Sequence, residues 1–220
     1  MKATFFVAAS VLVLAACNNS AKTSATSDKQ EVATVSGATS YKIDSTATIT
    51  WIGSKPTGKH TGTFNLTGGE FLVKDNALAG GSFTINIASI TNQDLAGDPD
   101  NKAKLEGHLK SPDFFNIEKY PTARFVITSV EPYVANASDT TKSIAGATHL
   151  VHGNLTLKDS TKNVAFPAVV TIDGTSASAS ADFNIDRTQW GMNYKGPGNP
   201  QDWFISKLVN IKFSITAKHQ

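Results

Sequence analysis

The side chains of this 220-residue sequence best suited to chemistry are its five histidines. His149 and His152 stand three apart in a stretch of alternating apolar residues, so a strand there would point them to opposite faces and they could not chelate one ion together. His219 is terminal. His60 and His108, the latter close in sequence to Glu106 and Asp113, remain as a candidate polar cluster. Catalytic context is thin: there is no Gly-x-Ser-x-Gly elbow and no His-Glu-x-x-His helix. Residues 53–60 (GSKPTGKH) match a phosphate-binding loop up to the last position, where His60 replaces the hydroxyl residue that would hold magnesium. A strand pattern follows, not a helix whose N-terminus could aim amides at phosphate, so a hairpin loop is expected. Asp98-Pro99-Asp100 begins like a calcium loop but lacks its glycine and terminal glutamate.

Composition narrows the field further. Twenty basic and eighteen acidic residues leave a formal charge of +2, with no basic block and only two arginines, Arg124 and Arg187. That is not the electrostatic footprint of a protein that reads phosphates, and no nucleic-acid partner is expected. One cysteine, Cys17, excludes an internal disulfide framework, a thiolate zinc cluster and a CxxC redox pair. No metal and no cofactor is expected.

That cysteine follows a short apolar stretch, residues 3–16 (ATFFVAASVLVLAA), preceded by Lys2. The charged start, apolar middle and small-residue end are those of a secretory signal peptide, 1–16, too short to span a bilayer. Leu14-Ala15-Ala16-Cys17 resembles a bacterial lipobox, which implies lipidation of Cys17 and a membrane anchor. Asn18 at the following position favours the outer membrane, with the protein facing the periplasm of the bacterial cell envelope. Residues 17–40 are polar with little to bury, so a lipidated cysteine and a disordered tether are expected there.

From Tyr41 the dominant period is two. Ala47, Ile49 and Trp51 alternate with threonines; Phe83, Ile85 and Ile87 with polar residues; Val209, Ile211, Phe213 and Ile215 likewise. Turn residues at Gly68-Gly69, Asp75-Asn76, Gly80-Gly81, Lys158-Asp159 and Asp173-Gly174 separate such runs. The pattern predicts an all-β fold, an antiparallel barrel or sandwich of about eight strands. Residues 101–110 break it as a short helix with Leu105, His108 and Leu109 on one face, a helical insertion over one barrel end. In the strand over residues 175–185, Ala177, Ala179 and Ala181 face inward. Either large neighbours fill the space beside them or they widen the interior of a barrel.

Several pieces in order carry a family resemblance: residues 41–44 (YKID), 60–64 (HTGTF), 108–115 (HLKSPDFF), 120–125 (YPTARF), 153–156 (GNLT) and 183–191 (FNIDRTQWG). Together they resemble the YceI-like family of exported lipid-binding proteins across nearly all of 41–217, and residues 41–220 are identified as such a domain. The resemblance implies an extended, lipocalin-like antiparallel β-barrel with a short helix, enclosing an apolar cavity for a polyisoprenoid. Two departures stand out. Leu105-Glu106-Gly107 precedes His108 where relatives carry a basic and an acidic residue, and Gly196 to Gly198 lengthen the loop before the last strand.

The expected function is therefore non-covalent binding of a polyisoprenoid or similar long apolar lipid, of isoprenoid quinone or polyprenyl type, for carriage or storage, and not catalysis. Each buried methylene contributes about 0.8 kcal/mol gross, so charge is not required for affinity. The wall residues expected to bind lipid are Trp51, Phe64, Phe83, Ile85, Phe125, Leu155, Phe183, Trp190, Ile211 and Phe213. His60, His108 and Arg187 are the polar candidates for a head group, with an ion pair to Asp186 the competing role for Arg187. A structural or interaction module with a filled core, and a metal-assisted periplasmic hydrolase using His60 and His108, are the alternatives.

Overall fold

Alternating side chains give strands one dry and one wet face, and in the computed structural model this pattern becomes ten antiparallel strands among the described residues. Residues 23–44, 46–135, 142–196 and 204–219 are described; the leader at 1–16 and Cys17 lie outside them. The strands are β1 (Ala25–Asp28), β2 (Thr39–Ile43), β3 (Thr48–Lys55), β4 (Gly58–Lys74), β5 (Ala77–Asn92), β6 (Thr122–Pro132), β7 (His149–Leu157), β8 (Ser160–Ile172), β9 (Ser176–Asp186) and β10 (Leu208–His219). A helix, α1 (Pro99–Lys110), follows β5, and a 3₁₀ turn, Arg187–Trp190, follows β9.

Pairing runs β4 to β10 in sequence, except that β10 returns to β4 through two strands end to end. β3 bridges them at one end, with Ile211 opposite Trp51 and Trp51 opposite Gly62; β2 bridges them at the other, with Ala217 opposite Ile43 and Tyr41 opposite Phe71. The result is a closed barrel of eight strand positions, which removes exposed edges by closure. It is the all-β barrel with a helical insertion, the choice between barrel and sandwich that periodicity leaves open being settled as the lipocalin-like form the family resemblance implies.

Two expected turns are not turns. Gly68-Gly69 lies inside β4 and Gly80-Gly81 inside β5. A bulge between Leu66 and Gly68 switches the inward face from Phe64 and Leu66 to Phe71 and Val73, so one long strand reads as two. Glycine is required at Gly81, where φ is +145° and a Cβ would lie 2.5 Å from the Glu70 carbonyl. The Asp75-Asn76 reversal, with φ of 50° and 59°, is the left-handed two-residue hairpin turn its residue types suit.

Asp98 caps α1: its carboxylate accepts from the Asn101 amide at 3.2 Å, with Pro99 in the first helical turn. The calcium-loop look-alike is thus a helix start. Glu106 ties the helix down, its Oε1 accepting from the Asn92 amide at 2.7 Å and the Thr91 hydroxyl at 3.1 Å.

The expectation of a disordered tether through residue 40 fails from residue 23 onward. β8 and β9 pair only from Ala168 opposite Ala181 to Ile172 opposite Ala177, then diverge. β1 occupies the divergence, Thr26 pairing with Val164 while the Ser24 amide donates to the Asn184 carbonyl at 2.8 Å. Gln30 continues the seal: Asn154 accepts from its amide at 3.0 Å and donates to its carbonyl at 2.7 Å. These bonds satisfy strand edges that would otherwise be left open, and hydrogen bonding, not apolar burial, orders the segment.

Candidate functional site

The barrel interior has two unlike halves. At the end near β2, Tyr41, Ile43, Phe71, Val73, Ala177, Ile215 and Ala217 are buried in one apolar cluster. The alanines of β9 belong here: Ala177, Ala179 and Ala181 are buried, and none lines the cavity of the other half. Of the two roles open to them, widening the cavity is not the one they serve, since the cavity lining excludes all three.

The other half holds a cavity of about 270 Å³, near the lower end of the size range of small-molecule pockets. Nine of the ten expected wall residues line it: Trp51, Phe64, Phe83, Ile85, Phe125, Leu155, Phe183, Ile211 and Phe213. Trp190 does not. It sits in the 3₁₀ turn, almost fully buried, with its indole N–H donating to the Leu155 carbonyl at 3.0 Å, so it braces the wall from behind. Sequence reasoning missed Ile90, Phe114, Phe115, Phe166, Met192 and Ile205 as lining residues. Phe166 had a usable signal, the β8 alternation, while Phe114, Phe115, Met192 and Ile205 come from loops where no period marks the inward side. The helix face Leu105, His108 and Leu109 borders the cavity as its spacing predicts.

Polar lining residues gather at one end, formed by the β3–β4 hairpin, α1 and the segment after the 3₁₀ turn: Ser54, Lys55, His60, His108, Arg187 and Ser206. His60 Nδ1 lies 2.8 Å from Asp94 Oδ2. Burial alone would raise the Asp94 carboxyl, but the Thr61 amide, His60 and Asn92 bond its charged form and hold it at about 2. His108 Nε2 lies 3.0 Å from Asp113 Oδ2, and its ring meets Phe114 and Tyr194 edge-on at 5.1 and 4.7 Å. The two histidines therefore have separate carboxylate partners. Among the described residues no group of three or more His, Cys, Asp and Glu side chains could share a metal ion.

Arg187 lines the polar end with its guanidinium bonded to the backbone of the neighbouring loop. Its guanidinium donates to four backbone carbonyls: Ser206 from Nε at 3.0 Å, Tyr194 and Ile205 from Nη2 at 3.0 Å each, and Met192 from Nη1. Asp186 instead caps the 3₁₀ turn through Thr188 and pairs with Lys207 at 3.1 Å. Burial pulls the Arg187 guanidinium below its ordinary value, with Asp186 acting against it. A planar five-donor fork suits this cage of carbonyls, and it fastens the chain on both sides of the mouth loop.

The interior is thus an apolar pocket with its polar groups confined to the rim, the kind of lining found in sites for hydrophobic molecules. Residues 41–217 match the YceI-like domain, and the chain belongs to that family. Curated relatives include a UPF0312 protein of Pseudomonas putida, 30% identical over 126 residues, 54% of this chain and 56% of the relative. Another, from Photorhabdus laumondii, is 32% identical over 145 residues, 62% of this chain and 64% of the relative. The matches thus span about half to two thirds of these relatives' length. Among solved structures, Burkholderia cenocepacia BcnA superposes with a TM-score of 0.57 at 20% identity, covering 78% of this chain and 96% of its own. A polyisoprenoid binding domain from Saccharophagus degradans, implicated in plant cell wall breakdown, gives 0.56 at 14% identity, covering 82% and 98%. At those identities the likeness is one of fold.

Proposed function

We propose that this protein binds the apolar chain of a polyisoprenoid, of isoprenoid quinone or polyprenyl type, or of a similar long lipid, and acts in its carriage or storage rather than in catalysis. The observation that carries this reading is the division of the interior: one half taken up by buried side chains, the other holding a cavity walled almost wholly by aliphatic and aromatic side chains. Burying hydrocarbon there offsets the cost of association without charge pairing. His60, His108 and Ser206 at the rim supply polar contacts for a head group left outside, whereas Arg187 is committed to the carbonyls of its loop. The family and the polyisoprenoid-binding fold neighbour support the same class of ligand.

We infer from the leader and lipobox-like residues that this activity belongs to the bacterial envelope, with the protein anchored through lipidated Cys17 and facing the periplasm from the outer membrane. Between Cys17 and Thr23 lie six residue steps, a reach of about 20 Å at most, so the barrel would stay close to the bilayer. Adding ubiquinone or undecaprenol in detergent should raise the thermal midpoint of the purified protein. A midpoint unmoved by any isoprenoid lipid would count against the proposal.

A further inference from the structure

The cavity ends at an aromatic plate. Phe166 stacks on Phe183 at 4.1 Å and 5° between planes, and Phe183 meets Phe213 at 6.3 Å. Phe213 meets Phe83 at 6.3 Å, Phe83 stacks on Phe125 at 5.2 Å, and Phe125 returns to Phe166 at 5.7 Å. Five rings from five strands thus close a circuit across the barrel. On β8, β9 and β10 the next inward residues, Ala168, Ala181 and Ile215, are at most 2% exposed and do not border the cavity.

We propose that this phenylalanine circuit is a floor that sets the length of apolar chain the barrel accepts. The inference rests on the binding reading above and adds to it a specificity determinant. From floor to rim, β10 runs from Phe213 to Val209 and β5 from Phe83 to Ile90. At the usual strand rise and barrel tilt these stretches give a depth on the order of 15 Å. A chain longer than that leaves its remainder outside, where further methylenes add little. Affinity then rises by up to about fourfold for each methylene that enters and levels off once the chain reaches the floor. Rings packed edge to face and in stacks resist displacement by a flexible tail, because interiors deform by whole rearrangements. The residues following Phe166 and Phe183 on the inner face are alanines, so loss of either ring opens depth that no large side chain of β8 or β9 refills.

The test is a length series of isoprenoid alcohols (geraniol, farnesol, geranylgeraniol and solanesol) titrated into wild type, Phe166→Ala and Phe183→Ala, read by quenching of Trp51 fluorescence. Wild-type affinity should climb and then level off, and in the alanine variants the break should move to a longer alcohol by at least one isoprene unit. Gly153→Ala supplies the opposite displacement in a variant that keeps every ring. Its Cβ would lie 2.1 Å from Phe125 Cζ, driving that ring toward the barrel axis and the break toward shorter alcohols. Circular dichroism identifies folded variants, and any one of the three suffices. A break at the same length in wild type and a folded variant, or a wild-type affinity still rising through solanesol, overturns the floor while leaving lipid binding intact. No binding of any alcohol to wild type overturns the binding reading, and the floor with it.

Discussion

The rings of Phe166 and Phe183 lie parallel, 4.1 Å apart, just beyond the point where the β8–β9 ladder ends at Ala168 opposite Ala181. The two strands are joined there from inside by that stack and from outside by β1. Deleting residues through Asp28 removes the outer half, including the Lys162–Asp28 pair at 2.9 Å and the Ser24 bond to Asn184. The expected result is a loss of about 1 to 3 kcal/mol and faster amide hydrogen exchange along residues 162–165, with β5 and β6 unaffected. Exchange unchanged along β8 would mean that β1 contributes nothing to the seam.

Two glycines near the cavity should respond oppositely to alanine. A Cβ on Gly62 would lie 1.9 Å from the Thr91 carbonyl and 2.5 Å from the Trp51 ring, whereas one on Gly53 meets nothing within 4 Å. Backbone cannot move aside as a side chain can, so Gly62→Ala should cost about 3 kcal/mol or more. Gly53→Ala should stay within about 0.5 kcal/mol. Urea denaturation of both variants measures the contrast.

Arg187 should matter for the loop more than for a ligand. Phe114 packs near its guanidinium at 5.8 Å, and the carbonyls of Met192, Tyr194, Ile205 and Ser206 lose their donors in Arg187→Met. Leaving buried carbonyls unpaired should destabilise the fold by on the order of 3 kcal/mol and expose residues 192–196 to limited proteolysis. Arg187→Lys should recover little, because an ammonium cannot reproduce the fork. Equal stability of all three proteins would contradict this role.

Asp94 gives the mouth its pH dependence. Its ordinary value of 3.8 is lowered to about 2 in the folded chain, so its contribution is fully present above pH 4 and lost as pH falls from 3.8 through 2. With its side chain 35% exposed, solvent screening reduces that contribution to on the order of 1 kcal/mol. Asp94→Asn should therefore lose stability at neutral pH and show a flatter acid limb than wild type, a comparison made by urea melts between pH 2 and pH 6.

What the sequence made legible follows from periodicity. Where strands are regular, alternation located the wall, and nine of ten expected lining residues border the cavity. It failed where the backbone leaves that period. Trp190 lies past the end of β9, in a turn capped by Asp186, so the count of two no longer applied. The Gly68-Gly69 and Gly80-Gly81 pairs resemble turns in composition, yet they serve a bulge and a close cross-strand approach, which depend on the partner strand. β1 carries no apolar alternation, and its order arises from the β8–β9 divergence and from Asn154, neither visible from its own residues. That the cavity stops short of the β9 alanines was equally hidden, because alanines say nothing about the size of the side chains facing them.

The most direct measurement is native mass spectrometry, with organic extraction, of the protein purified from its own membranes. The expected result is a co-purifying apolar lipid of isoprenoid type, held non-covalently and lost when Phe83→Asp places a carboxylate in the wall. A wild-type protein that carries no lipid, and takes up none when isoprenoid quinones or polyprenols are supplied, would contradict it.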